Sequence, residues 1–159
     1  MASSGAVTSV SRTRTVAAPP EAVWEVLADF GSISSWAPNV DHSCLLEHGA
    51  GGPAAGTTRR VQVGRNALVE CIVEITPPTV LEYCIEGLPT RLGRLTNRWT
   101  LNSGGSGRTE VTLTSTVRGG CGPLARLNAA SVGRIAGRIM ARQSEDMLAG
   151  LAARLEGSP

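Results

Sequence analysis

Apolar and polar positions alternate along the middle of the chain, and only two stretches change to a helical rhythm. Val7 to Val16, rich in Ser, Thr and Val with scattered arginine, predicts a strand at or near a sheet edge. After Pro19-Pro20-Glu21, the residues Val23, Val26, Leu27 and Phe30 recur at helical spacing and predict one buried helix face. Proline at a helix start has its missing N–H where none is needed, and Glu21 suits the positive end of the first turn. Gly31 is expected to stop this helix, and a second short piece, Ser32 to Trp36, to end before Pro38.

From there to about residue 118 the pattern predicts strands at about 40–47, 57–63, 67–75, 80–86, 92–102 and 109–118. Between them lie Gly49-Ala-Gly-Gly-Pro53, Gly64-Arg-Asn66, Thr76-Pro-Pro78, Gly87-Leu-Pro89 and Ser103-Gly-Gly-Ser-Gly107, all rich in turn residues. Connections this short imply an antiparallel meander. Gly120-Cys-Gly-Pro123 then opens a long helix to about Leu155, with Gly157-Ser-Pro159 past its end. Its apolar stripe runs through Ile135, Ala136, Ile139, Met140, Met147, Leu148, Leu151 and Leu155, while Arg134, Arg138 and Arg142 mark another, solvated face. An antiparallel sheet must cover one face, and this helix is the only element large enough to do so. The expected architecture is α+β: a curved seven-stranded antiparallel sheet around a long C-terminal helix, with two short helices after the first strand. Residues 1–159 read as a single domain with its core at about 8–155, because no repeat or linker interrupts them.

Composition narrows the function. With 42% hydrophobic and 18% charged residues in 159, neither disorder nor a coiled coil is expected. No apolar run approaches the ~20 residues of a membrane span, so no integral membrane association is expected. Met1 to Ser11 lacks a charged-then-apolar leader pattern, which makes the cytoplasm the expected location. Cys44, Cys71, Cys84 and Cys121 are scattered, with no closely spaced pair, and read as free thiols buried like small hydrophobes. His42 and His48 sit beside strand edges or turns, so neither metal nor cofactor is expected. All fifteen basic residues are arginine, which excludes a catalytic lysine, a Schiff base and a P-loop. A net charge of +2 and five dispersed aromatics (Trp24, Phe30, Trp36, Tyr83, Trp99) argue against a nucleic-acid partner. Homodimerisation is left open.

The element order, with the phrases VAAPPEAVWEVLADFGSISSWAPNV, GTTRRVQVG, VECIVEITPPTVLEYCIEG and NRWTL, resembles the START-like (SRPBCC) helix-grip superfamily. Within it the sequence looks most like the polyketide cyclase/dehydrase and lipid-transport family, from about Thr8 to Leu155. The resemblance implies a cavity between sheet and long helix that holds a lipid, sterol, polyketide or hormone; some members cyclise or dehydrate their ligand, and many only bind it. The similar aromatase/cyclases place an arginine on the central strands facing the cavity, and here that position falls at or beside Cys71. Plant hormone receptors resemble the chain around Arg94 to Asn97, but carry a long gating loop where this sequence has only Gly64-Arg65-Asn66.

The best chemical candidates are Glu70 and Arg59. A two-residue loop at Arg65-Asn66 sets Val61 opposite Glu70 and Arg59 diagonal to it, with Arg59, Val61, Val63, Leu68, Glu70 and Ile72 on one face. A three-residue loop instead turns Glu70 outward and leaves Val69, Cys71 and Val73 inside. The resemblance to the receptors, where a glutamate after this hairpin faces the ligand, favours the first. Paired with Arg59, the acid would anchor a polar group of a ligand; unpaired, its raised pKa would suit a general base. On the next strands Leu81, Tyr83 and Ile85 are expected inside, then Leu95, Asn97, Trp99 and Leu101, then Val111, Leu113, Ser115 and Val117. Tyr83 is either a ligand contact or a core tyrosine bonded to backbone, and Asn97 and Ser115 are the polar exceptions on apolar faces.

The first half of the long helix is thin: Ala125, Ala129, Ala130, Ser131, Gly133, Ala136 and Gly137 either pack closely on the sheet or leave a void, with Asn128 and Ser131 as polar wall groups. The expected cavity residues are therefore Arg59, Val61, Glu70, Ile72, Tyr83, Ile85, Asn97, Trp99, Ser115, Asn128 and Ser131. The reading this supports is a carrier or sensor of a small apolar metabolite. A cyclase/dehydratase using Glu70 or Tyr83 is the alternative, and an interaction module with a vestigial cavity the third. No catalytic residue is assigned.

Overall fold

The computed structural model describes residues 7–47, 51–88, 93–119 and 129–157, and within the last helix the side chains of 134 and of 137 onward. The elements follow the expected order: β1 (Val7–Val16), α1 (Pro20–Ala28), a 3-10 helix (Phe30–Ser35), β2 (His42–Glu47), β3 (Thr58–Val63), β4 (Asn66–Thr76), β5 (Val80–Glu86), β6 (Arg94–Gly105), β7 (Arg108–Arg118) and α2 (Ala129–Glu156). The proposed helix start at Pro123 lies outside the described residues. All seven strands form one antiparallel sheet in the order β1-β7-β6-β5-β4-β3-β2, so β1 and β2 are its edges. This is the helix-grip arrangement: a curved sheet with α2 laid across its concave side, chiefly against β1 and β7.

The alternation along each strand sorts the two faces as expected. Val61, Ile72, Leu81, Tyr83, Trp99, Leu101, Val111 and Leu113 are buried on the concave side, where they meet Val23, Leu27 and Phe30. Trp36 packs edge-on to Trp99, with ring centroids 5.8 Å apart, and Phe30 edge-on to Tyr83 at 5.6 Å. On the convex side hydroxyls pair across β1 and β7: Ser9 with Thr116, Ser11 with Thr114 and Thr13 with Thr112. Cross-strand hydroxyl pairs of this kind add a few tenths of a kcal/mol to a solvated face.

Three local readings need correcting. The first helix stops at Ala28, and the second helical piece is a 3-10 helix that begins at Phe30 and contains Gly31. The glycine lets edge strand β2 approach closely, since a Cβ there would lie 2.7 Å from Leu45 Cγ and push that exposed side chain aside. Ile139, assigned to the buried stripe, is 55% exposed, because it lies about 100° round the helix from buried Met140, at the edge of that face. Cys44 is exposed on edge strand β2 and Cys71 half-buried, so among the described cysteines only Cys84 behaves as a buried hydrophobe.

Two polar contacts tie α2 to β1, one at mid-helix and one at its C-terminal end. Arg12 Nε of β1 donates to Glu145 Oε1 at 2.9 Å, and the Ala17 N–H donates to Glu156 Oε1 at 2.8 Å. Between these, Gly150 lets the helix backbone lie directly against the Trp36–Pro38 turn. A Cβ at Gly150 would collide with the Trp36 carbonyl oxygen and come within 2.8 Å of Pro38 Cδ. Alanine favours a helix over glycine by about 1 kcal/mol. Overpacking against rigid backbone costs about 1–3 kcal/mol, and a carbonyl has nowhere to retreat. Gly150→Ala is therefore expected to lower the thermal midpoint by several degrees, whereas Ala153→Gly, at an exposed helix position, should cost only about 1 kcal/mol. A Gly150→Ala protein as stable as the parent in a calorimetric scan would contradict this packing.

Candidate functional site

The β3–β4 hairpin decides what faces the concave side. Val63 pairs with Asn66, so the loop is Gly64-Arg65, not Arg65-Asn66. Gly64 has φ +58°, the sign a type II′ turn needs at its first loop residue, and glycine supplies it without strain. The register thus moves by two residues from the expected one: Arg59 lies directly opposite Glu70, and Val61 opposite Leu68. A shift of two preserves parity, so Glu70 faces inward as the two-residue reading required. Cys71, the position matched to the aromatase/cyclase arginine, faces out.

Arg59 and Glu70 form a buried ion pair. Arg59 is 2% exposed and Glu70 7%. Arg59 Nε donates to Glu70 Oε2 at 2.6 Å, and Nη1 donates to the Phe30 carbonyl at 2.8 Å. Nη2 also lies 2.6 Å from Oε2, but no hydrogen is aimed at it, so it adds charge attraction and not a second hydrogen bond. The guanidinium carbon sits 3.9 Å from the Phe30 ring centre and 4.6 Å from that of Tyr83. Aromatic faces stabilise a desolvated cation by up to about 2 kcal/mol, which offsets part of the cost of burying it.

Above the pair is a cavity of about 220 Å³. Its sheet wall is Val61, Val63, Leu68, Glu70, Ile85, Leu95, Asn97 and Ser115; its helix wall is Met140, Gln143, Ser144 and Met147; Ile33, Asn39 and Val40 close one side. Four polar features interrupt the apolar lining. Glu70 presents a carboxylate whose second oxygen has no partner among the described residues. Ser115 Oγ donates to Asn97 Oδ1 at 2.7 Å. Asn39 Oδ1 is buried without a hydrogen-bond partner. Ser144 is 1% exposed on the helix wall, and Gln143, exposed, stands at the rim.

Of the eleven residues expected to line a cavity, the structure brings Val61, Glu70, Ile85, Asn97 and Ser115 to one. Arg59, Ile72, Tyr83 and Trp99 are packed behind the wall instead. Their inward direction was read correctly, but the sheet's curvature presses them against α1 and the 3-10 helix, which leaves no space at their tips. Asn128 lies outside the described residues, as does the side chain of Ser131. Gly137, from the thin half of the helix, faces Val10 of β1 and not the cavity. Of the ten lining residues missed, Val63, Leu68 and Leu95 had been placed on inward faces, Ile33, Asn39 and Val40 follow α1, and Met140, Gln143, Ser144 and Met147 fall at i, i+3, i+4 and i+7 of α2. A serine inside that apolar stripe is the same kind of polar exception that marked Asn97 and Ser115.

Tyr83 resolves as a core tyrosine, though its hydroxyl bonds to a side chain. Trp99 Nε1 lies 3.4 Å from its hydroxyl oxygen. Burial pushes the phenol pKa up from its ordinary value, the Glu70 charge adds to this, and Arg59 with hydrogen bonds from Trp99 and Asn97 pulls the other way. Among the described residues no cluster of three or more metal-ligating side chains occurs, and no helix is long and apolar enough to cross a membrane.

Two predictions come from this geometry. Tyr83 is the only tyrosine in the chain, so tyrosinate absorbance reports it alone. With the folded pKa raised, its contribution to stability is complete below about pH 10 and is lost as pH rises through the folded value. Absorbance should accordingly rise only above the ordinary phenol range, together with unfolding; a simple titration centred near 10 in folded protein would refute its burial. Second, Glu70→Gln leaves Arg59 buried without a counter-charge and should cost about 3 kcal/mol or more in urea unfolding. Glu82→Gln removes one of two partners of the surface residue Arg98 and should cost under about 1 kcal/mol. Equal effects would mean that the Arg59–Glu70 pair is solvated.

Comparison with known proteins places this geometry in a wider group. The family model described as polyketide cyclase / dehydrase and lipid transport matches residues 7–156. No curated protein matches the sequence. Among solved structures, the Zhui aromatase/cyclase from Streptomyces sp. R1128 is similar over 95% of this chain and 94% of its own, at 24% identity and a TM-score of 0.77. A Thermobifida fusca protein known from a solution NMR structure shares 24% identity, with 92% of each chain covered and a TM-score of 0.72. A START superfamily protein from Mycobacterium smegmatis shares 18%, covering 94% of this chain and 98% of its own at a TM-score of 0.71. At these identities the likeness shows the fold alone.

Proposed function

From the chain's place in the polyketide cyclase/dehydrase and lipid transport family, to which it belongs, we propose that it binds a small, mostly apolar molecule carrying a hydroxyl or N–H donor, and holds it as a carrier or sensor. The observation that carries this reading is a carboxylate on the wall of an otherwise apolar cavity, neutralised by a buried arginine. A ligand site of this kind combines apolar walls with a few placed polar groups that set orientation. The free oxygen of Glu70 and the unpartnered Asn39 Oδ1 both accept hydrogen bonds, so a bound molecule gains by donating. The volume of about 220 Å³ limits the size. A cavity of about 150 Å³ takes benzene, so a single substituted ring, a fused pair or a short acyl chain fits this one.

The cyclase/dehydratase alternative has less in its favour. Proton transfer near neutral pH needs a group poised to change charge there. Glu70 is tied to Arg59, and Tyr83 is held neutral with its hydroxyl in the core.

Fluorescence titration with 2-naphthol and naphthalene tests the proposal, because the two differ only in one donor. A hydrogen bond to a charged group contributes about 1.5–3 kcal/mol, so 2-naphthol should bind roughly tenfold more tightly or better. Glu70→Gln should shrink that preference, and Glu82→Gln should leave it intact. Equal affinities for both probes, or none for either, would defeat the reading. Native mass spectrometry of protein purified from its host should also show a copurifying small molecule.

A further inference from the structure

The convex face of the sheet carries a feature unconnected with the cavity. Cys71 of β4 and Cys84 of β5 are directly opposed in the antiparallel register, and both are free thiols. We propose that they form a reversible redox site, closing to a cross-strand disulfide when the protein meets a peroxide. Directly opposed antiparallel residues have Cα atoms about 4.5 or 5.5 Å apart, according to the type of pair. Both spacings fall within the roughly 4.4–6.8 Å that a disulfide spans. The Cβ atoms of such pairs lie about 4.5–5.5 Å apart, and a disulfide wants about 3.5–4.5 Å. The strands must therefore draw together by roughly 1 Å, and the strained bond that results is readily reduced.

The surroundings suit that movement. A bulge between Ile72 and Glu74 interrupts the β4–β5 ladder just beyond Cys71, so this part of β4 can shift without breaking a continuous run of hydrogen bonds. The two thiols differ in access. Cys71 is half-buried and within reach of a small oxidant, whereas Cys84 is 6% exposed beside it. The Cys71 thiolate attacks one peroxide oxygen, the O–O bond breaks, and the sulfenic acid and hydroxide form. The Cys84 thiolate then attacks the Cys71 sulfur, the S–O bond breaks, and hydroxide leaves to become water. In sum two thiols are oxidised to one disulfide and one hydrogen peroxide is reduced to two waters. Burial pushes the Cys71 thiol pKa up, with Cys84 and Glu86 adding to it, so the reaction quickens as pH rises toward the alkaline range.

The sequence makes the test direct. Arg65 and Arg91 bracket both cysteines with no arginine or lysine between, so trypsin releases them in one fragment, 66–91, while Cys44 and Cys121 fall in others. The folded full-length protein is treated with hydrogen peroxide at mildly alkaline pH, alkylated with iodoacetamide, digested and weighed. The expected product is fragment 66–91 lacking two hydrogens and carrying no alkyl group, which dithiothreitol converts to the doubly alkylated form. Cys71→Ser and Cys84→Ser should each abolish the bridged fragment and leave the remaining thiol alkylatable. The proposal is overturned if fragment 66–91 stays doubly alkylated while exposed Cys44 is oxidised. It is equally overturned if Cys71 goes on to sulfinic acid, or if the bridge forms only in urea.

Discussion

A guanidinium with 2% of its surface exposed has to find inside the protein everything water would have given it. Arg59 finds a carboxylate from β4, a carbonyl from the 3-10 helix and two aromatic faces, one of them from β5. One side chain thus ties the hairpin of β3 and β4 to the segment that closes the end of the sheet and to the neighbouring strand. It also gives the buried Glu70 carboxylate an opposite charge inside an apolar wall. The polar group on the cavity wall and the join between helix and sheet therefore share one interaction.

The cavity exists because a curved sheet and a straight helix do not fill the space between them. Near Gly150 the helix backbone touches the Trp36–Pro38 turn, and Leu148, Leu151 and Ala152 are fully packed. Within the three turns before it, Met140, Ser144 and Met147 face Val61, Ile85 and Leu95 across open space. Methionines suit such a wall, since an unbranched thioether adapts its shape to what lies against it. The polar groups in the lining are spread over the sheet, the helix and the segment after the 3-10 helix, so their arrangement depends on all three staying in place.

Much of this was legible in the residues themselves. The strands were readable from alternation and from Ser, Thr and Val content, and the turns between them from glycine and proline, because a half-buried strand tends to alternate and a tight turn needs special backbone angles. The hairpin shows how far that goes. Gly64-Arg65-Asn66 offers two placements of a two-residue loop, and only the conformation of Gly64 selects between them. Parity survives the ambiguity, and with it the inward direction of Glu70, but the partner opposite Glu70 does not. The same limit explains Ser144: its helical phase was visible, yet whether that phase met packed strand or empty space was not.

What the sequence determined by itself is direction: the order of the elements, the faces of the strands, and Glu70 and Arg59 on the same side. Direction follows from local periodicity, which needs no knowledge of distant residues. Only the tertiary structure decided depth. Tyr83, Trp99 and Ile72 point inward as surely as Asn97 and Ser115 do. The first three end in the core against Phe30, Trp36 and their neighbours, and the last two end at the cavity. The difference lies in where α1, the 3-10 helix and α2 come to rest on the curved sheet. That placement depends on long-range contacts such as Gly150 with Trp36 and Phe30 with Tyr83, and no local pattern encodes it.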